Sequence, residues 1–235
     1  MENKLSHLYI IPSFLSTENT HIFPESFIKK VISIRHFFVE NERSARRFLK
    51  TLDKSVVIDN IRFMPVNDQE NPDLNTFKEW LTQEKEVGII SEAGYPCVAD
   101  PGNILIKAAH QLGAKVIPLV GPNAMIMALA ASGFNGQRFA FSGYLPVKMP
   151  ARVKTLKELE KKLMHTGETQ IFMETPYRNN ALIKDVIENC MPQTLFCIAA
   201  DITGPTEFIK TQSIKNWKQS IPDLNKRPAV FLLGK

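Results

Sequence analysis

The sequence predicts an α/β protein whose first half is built on a largely parallel sheet and whose second half is mixed. Three observations lead there. Short apolar runs alternate with helical patterns along the chain. Loops rich in small residues follow two of those runs, at 91–102 and 119–124. After Gly133 the alternation loosens, and hairpin-like strands close the chain.

The elements follow in order. Leu8 to Ile11 is a buried strand, and Phe27 to Ile34 a helix with Pro24 at its start. His36 to Val39 is a second strand, Glu42 to Leu52 a helix, and Val56 to Ile58 a third strand. Asp73 to Glu84 is a helix, because Phe77, Trp80 and Leu81 recur at i, i+3 and i+4. Val87 to Ile90 is a strand that enters the loop 91–102. Ile104 to Leu112 is a helix ended by Gly113, Lys115 to Pro118 a strand, and Ala124 to Ala131 a helix. The second half reads as a strand at 138–141, a loop at 142–146, a basic amphipathic helix at 151–164 and a strand at 170–173. A helix at 180–189, strands at 195–200 and 207–210, a short helix at 214–217 and a strand at 229–233 complete it. The change of character falls within 115–137.

Composition is that of a globular protein, with 44% apolar and 23% charged residues. The net charge of +5 is unevenly spread. Residues 1–100 carry 12 basic and 15 acidic side chains, and residues 101–235 carry 17 and 9. The stretch 138–162 concentrates Arg138, Lys148, Arg152, Lys154, Lys157, Lys161 and Lys162 against Glu158 and Glu160. Such a stretch is either a solvated helix face or a face for a polyanion. Three scattered cysteines with no CxxC form neither a disulfide framework nor a zinc site. The start, Met1 to Lys4, has no signal-peptide core, and the most apolar stretch, 116–131, is broken by Pro118, Gly121, Pro122 and Asn123. The expectation is a cytoplasmic protein with no membrane span and no metal.

Several nucleotide-binding classes fail on the first loop. Pro12-Ser13-Phe14-Leu15-Ser16 follows the first strand without a glycine, which excludes the dinucleotide-binding turn. No Gly-x-x-x-x-Gly-Lys-Ser/Thr, Gly-x-Ser-x-Gly or His-Glu-x-x-His occurs. The loop 91–102 is the densest signal. Its small residues admit a ligand close to the backbone, yet the same residues suit an ordinary strand-to-helix turn in which Asp100 caps the helix and Pro101 opens it. Two such loops on neighbouring strands make one crevice.

Read in series, "VENERSARRFL" (39–49), "GIISEAGYPCVADPG" (88–102), "VIPLVGPNAMIMALAASG" (116–133), "RFAFSGYLPVK" (138–148) and "IFMETPYRN" (171–179) resemble the tetrapyrrole methylase superfamily of S-adenosylmethionine-dependent methyltransferases. Its ribosomal RNA small-subunit methyltransferase I branch is the most similar. The resemblance implies two α/β domains, 1–120 and 121–235, with S-adenosyl-L-methionine in the cleft between them, and a homodimer. It places Leu15, Ala93, Gly94, Tyr95, Val98, Asn123, Ala124, Glu174 and Asp201 at the cofactor. The first loop departs from the branch's Pro-Thr-Pro-Ile-Gly-Asn-Leu, and Ala200 to Gly204 lacks the Arg and Lys of Arg-Glu-Leu-Thr-Lys.

Methyl transfer from a sulfonium is an in-line displacement, so positioning and desolvation supply most of the catalysis. A hydroxyl acceptor must also lose a proton, and a carboxylate is the simplest base. Glu40, Glu174 and Asp201 are the candidates, with Glu207 beside them. Arg43, Arg46 and Arg178 suit phosphate contacts. Each of these charged groups also suits a domain-interface salt bridge or a helix cap. Three functions are open: a methyltransferase acting on RNA or the ribosomal subunit, a methyltransferase for a tetrapyrrole or another small molecule, and a cofactor-binding regulatory protein that has lost catalysis.

Overall fold

The computed structural model describes residues 7–66, 72–83 and 85–235. Met1 to Lys4 and Glu84, both used above, lie outside them. The chain divides into two compact units, Met1–Asn123 and Ala124–Lys235.

The first unit runs β1 (His7–Ile11), α1 (Glu25–Ser33), β2 (His36–Val39), α2 (Glu42–Leu52), β3 (Arg62–Pro65), α3 (Leu74–Thr82), β4 (Val87–Ile90), α4 (Asn103–Gln111) and β5 (Lys115–Pro118). Its sheet has the order β3-β2-β4-β1-β5, and every pair is parallel. A parallel sheet is covered on both faces, so its strands are apolar on both. Tyr9, Ile11, Phe37 and Val39 pack with Phe27 and Val31 of α1 and Phe48 and Leu49 of α2. The alternate residues Leu8, Phe38, Val87 and Ile89 pack with Phe77, Trp80 and Leu81 of α3 and Leu105, Ala108 and Ala109 of α4.

Two sequence expectations give way here. No strand forms at 56–58; Ile58–Asn60 is a single 3-10 turn and the edge strand is Arg62–Pro65. One residue of the apolar run is used for burial, and Val57 is exposed. Val56 packs into the core beneath α1 and α2, and Asp53 bends the chain by accepting the Ser55 N–H at 2.7 Å. Asp100 does not cap α4. The helix starts at Asn103 after Gly102, whose φ is 122° and whose carbonyl accepts the Leu105 N–H at 3.0 Å. Left-handed backbone at Cys97 and Ala99 (φ 66° and 65°) folds the loop so that Asp100 and Pro101 precede the helix instead of opening it.

The second unit runs α5 (Ala124–Ser132), β6 (Phe139–Tyr144), α6 (Met149–Thr166), β7 (Thr169–Met173), α7 (Asn179–Asn189), β8 (Leu195–Ala200), β9 (Phe208–Ser213), α8 (Ile214–Trp217) and β10 (Ala229–Gly234). The sheet order is β6-β7-β10-β8-β9; β6 and β7 are parallel and the other pairs antiparallel, which is the expected mixed sheet. Strand β6 extends through Tyr144, where a loop was expected. A register shift between Phe141 and Tyr144 absorbs Ser142 and Gly143 at this edge. The core gathers Phe172, Phe196, Phe231 and Trp217, and the Trp217 indole N–H donates to the Phe196 carbonyl at 2.8 Å.

Helix α6 also sorts the basic stretch. Arg152 is buried and donates to Asp185 of α7 at 2.6 Å and to the Val147 carbonyl at 3.0 Å. Lys162 pairs with Glu168. Arg138, Lys148, Lys154, Lys157 and Lys161 remain exposed. No helix among the described residues is long and apolar enough to cross a membrane.

Removing one partner of a buried ion pair strands the other charge. Asp185→Ala is therefore expected to cost about 3–5 kcal/mol, read from urea unfolding; a loss below about 1 kcal/mol would show that Arg152 reaches water.

Candidate active site

Parallel strands end on the same side, so the loops after β1, β4 and β5 emerge together. They meet around Gly94. Its carbonyl accepts the Ser13 N–H at 2.8 Å, which ties the 91–102 loop to the first loop. Gly94 has φ +71°, and a Cβ there would lie 3.1 Å from Leu15 Cδ2 and 3.6 Å from the Pro122 carbonyl. Gly121 packs as closely on Pro12, since a Cβ would come within 2.7 Å of the proline Cβ. Tyr95 spans the same gap by donating its hydroxyl to the Leu119 carbonyl. Leu119 N–H in turn donates to Ile10 at 2.9 Å.

Leu15, Gly94 and Tyr95, which the resemblance placed at the cofactor, thus form one cluster. Ala93 and Val98 sit on the exposed side of the same loop, Val98 at 41% exposure. Asn123 ends the unit, half-buried. Glu40, at the end of β2, accepts the Glu92 N–H at 2.9 Å and so anchors the start of the 91–102 loop. Burial, with Asp100 beside it, pushes the Cys97 thiol up to about 11. At neutral pH it is a packing group and not a nucleophile.

In the second unit Ala124 opens α5 and is half-buried. Glu174 follows β7 and is 3% exposed. Its Oε1 accepts from Arg178 Nε at 3.0 Å, from Arg178 Nη2 at 2.8 Å and from the Thr175 N–H at 2.7 Å. Its Oε2 lies 3.8 Å from Arg152 and has no hydrogen-bond partner among the described residues. Burial opposes ionisation of this carboxyl. The bonds from Arg178 and Thr175, with the charges of Arg178 and Arg152, outweigh it and hold the group below its usual value of 4.5. Asp201 follows β8 with φ 50° and binds Arg227 Nε and Thr206 Oγ1, each at 2.7 Å. Glu207 accepts the Thr203 N–H at 2.7 Å, closing the same turn.

The arginines separate as well. Arg178 is committed to Glu174. Arg46 pairs with Glu42 at 2.5 Å and lies over the Phe63 ring. Arg43 is exposed and meets no acid among the described residues. The structure adds Ser13, Arg47 and Glu92, which line a cavity beside the first loop. No spacing signal marks them, because the first loop and α2 meet only in the fold.

A chain from Buchnera aphidicola (strain Sg) bearing the name ribosomal RNA small subunit methyltransferase I is 29% identical over 234 residues, 98% of this chain and 79% of the relative. A second, from Buchnera aphidicola (strain APS) and of the same name, is 32% identical over 213 residues, 89% of this chain and 72% of the relative. The crystal structure of the methyltransferase CobJ superposes with a TM-score of 0.61 at 17% identity, over 98% of this chain and 94% of that one. No family model matches. The fold is therefore that of a tetrapyrrole methylase-type methyltransferase, an enzyme that uses S-adenosyl-L-methionine. Within that class, the chain belongs to the ribosomal RNA small subunit methyltransferase I family.

Two outcomes follow from this geometry. Gly94→Ala places an L-residue in left-handed backbone against Leu15 and is expected to cost about 1–2 kcal/mol, measured by thermal unfolding. Glu174 titrates lower when folded than when unfolded, so it contributes stability above its unfolded value of 4.5 that is lost as pH falls through the lower folded value. The stability gap between wild type and Glu174→Gln should therefore shrink as the pH is lowered through the carboxylate range. A gap independent of pH would contradict the ion pair.

Proposed function

We infer that this chain transfers the methyl group of S-adenosyl-L-methionine to RNA of the small ribosomal subunit, in the manner of ribose 2'-O-methylation. The observation that carries the reading is family membership together with the Gly94 loop cluster. The residues present fit the cofactor. Gly94 lets the 91–102 loop close against Leu15 and Pro122, and Glu174 keeps a buried carboxylate oxygen with no hydrogen-bond partner among the described residues, suited to a hydroxyl or ammonium group. Leu15, Ala93, Gly94, Tyr95, Val98, Asn123, Ala124, Glu174 and Asp201 are the residues we assign to hold it.

When bound, the cofactor supplies an electrophilic methyl on sulfur. The chain's own part is to orient the acceptor and exclude water. Glu40 fixes the loop start through the Glu92 N–H, and Tyr95 braces it on Leu119. Glu174 is held ionised, so it accepts hydrogen bonds readily but takes up a proton poorly; its assigned work is binding. Asp201 is held by Arg227 and Thr206 and shapes its own turn. Arg43 offers a phosphate contact; Arg46 and Arg178 reach one only by leaving their acids. The resemblance further supports a homodimer working in the cytoplasm.

Methyl-labelled cofactor incubated with the protein, a cell lysate and its separated fractions tests the reading. Label is expected in small-subunit RNA, and alkaline hydrolysis should leave it in an uncleaved dinucleotide, because a 2'-O-methyl blocks attack on the adjacent phosphodiester. Label in the small-molecule fraction, or in none, would sink the RNA assignment.

A further inference from the structure

A cavity of about 170 Å³ opens between the first loop and α2. Its wall carries five hydroxyl side chains: Ser13, Thr17, Thr20, Ser44 and Thr51. Two charges stand among them, Arg47 and Glu92. Phe14 and Phe48 form the apolar part of the lining, with ring centroids 5.1 Å apart. Cavities for drug-sized molecules run to about 300–1,000 Å³, so this one takes a smaller unit.

Its polar groups are prepared to bind. Ser13 is 3% exposed, yet its hydroxyl has no hydrogen-bond partner among the described residues. Buried hydroxyls are nearly always satisfied. Arg47 pairs with no acid among the described residues, in contrast to Arg46, which is held by Glu42. Arg43 lies one helical turn before Arg47 on the same face and is also unpaired with an acid among the described residues. Glu92 accepts the Ser44 hydroxyl on Oε1 at 3.0 Å, and its Oε2 has capacity for a second donor. Its N–H is held by Glu40, so the carboxylate is set from a fixed backbone.

A planar guanidinium beside several hydroxyls and one carboxylate acceptor matches one chemical unit. The guanidinium takes a phosphodiester, the hydroxyls of Ser13, Thr17 and Thr20 take its remaining oxygens, and the carboxylate accepts from a ribose 2'-hydroxyl. We propose that this cavity is a subsite for one ribose-phosphate of the RNA strand, with Arg47 on the phosphate, Glu92 on the 2'-hydroxyl, and Arg43 on the next phosphate along α2. The subsite rests on the RNA reading above and adds to it a place where the chain tells RNA from DNA.

Fluorescence anisotropy on the full chain tests it, with a short single-stranded RNA and the DNA of the same sequence, each at several salt concentrations. Wild type should bind RNA in preference to DNA, with affinity that falls as salt rises. Arg47→Gln should weaken RNA binding about tenfold and reduce the salt slope by about one. Glu92→Gln should bring RNA and DNA affinities together while leaving the slope in place. Arg47 is exposed, and an unchanged urea midpoint will show that its variant is folded. Salt-sensitive RNA binding that neither variant alters would overturn the subsite and leave the RNA reading standing. Absence of salt-sensitive RNA binding by wild type would overturn both. Equal weakening of RNA and DNA by Arg47→Gln, with Glu92→Gln silent, would remove the ribose part. If inorganic phosphate raises the melting temperature as much as the RNA does, and only when Arg47 is present, the cavity is a free-anion site and the proposal fails.

Discussion

The bond from the Ser13 N–H to the Gly94 carbonyl is where the first unit's site is made. It forms because β1 lies between β4 and β5 in a parallel sheet, which sends the chain out of all three strands on one side. Loops that close together leave little room for side chains. Gly94 meets Leu15 and Pro122, and Gly121 meets Pro12, at distances where a Cβ is crowded or excluded. With the glycines in place the loops close backbone against backbone, and Tyr95 and Glu40 then pin the 91–102 loop by bonds to Leu119 and Glu92. A methyltransferase whose chemistry is displacement at a sulfonium asks chiefly for this kind of fixed, close backbone.

The second unit depends on a different economy. Arg152, Asp185, Glu174 and Arg178 form a chain of buried and half-buried charges across α6, β7 and α7. Arg152 pairs with Asp185, and Arg178 offsets the burial that opposes ionisation of Glu174. One oxygen, Glu174 Oε2, has no hydrogen-bond partner among the described residues and sits at the end of a strand. The basic stretch of α6 that stood out in the sequence is therefore of two kinds: Arg152 is internal structure, and the lysines on the outer face are solvated.

Much of the architecture was legible in periodicity. Strands at 36–39, 87–90, 115–118 and 195–200 and the helix at 42–52 stand where the apolar pattern placed them. The misses are instructive. Val56 to Ile58 has strand composition but does not pair: Val56 is buried, Val57 faces solvent and Ile58 opens a 3-10 turn, and composition does not distinguish these uses. Asp100 has the right type and position for a cap, but the left-handed backbone at Cys97 and Ala99 moves the helix start past it. Ser142 and Gly143 read as a loop and were absorbed by an edge strand with an irregular register.

The candidate site divides along the same line. Ordered motifs within single loops carried the family and with it the cofactor, because each motif is local and its order along the chain is preserved. What joins them is not local. That Leu15 packs on Gly94, that Glu40 holds Glu92, and that Arg47 rather than Arg46 faces the cavity with Ser13 are consequences of strand order and helix rotation. Neighbouring arginines on one helix look alike in sequence. Only packing against Glu42 and Phe63 on one side, and the first loop on the other, gives one a structural partner and leaves the next without an acid among the described residues. Local patterning and the order of the motifs carry the class of fold and the family. The tertiary structure decided which side chains in the loops share a space, because contacts between residues far apart in the chain depend on how strands pair and not on what any one segment contains.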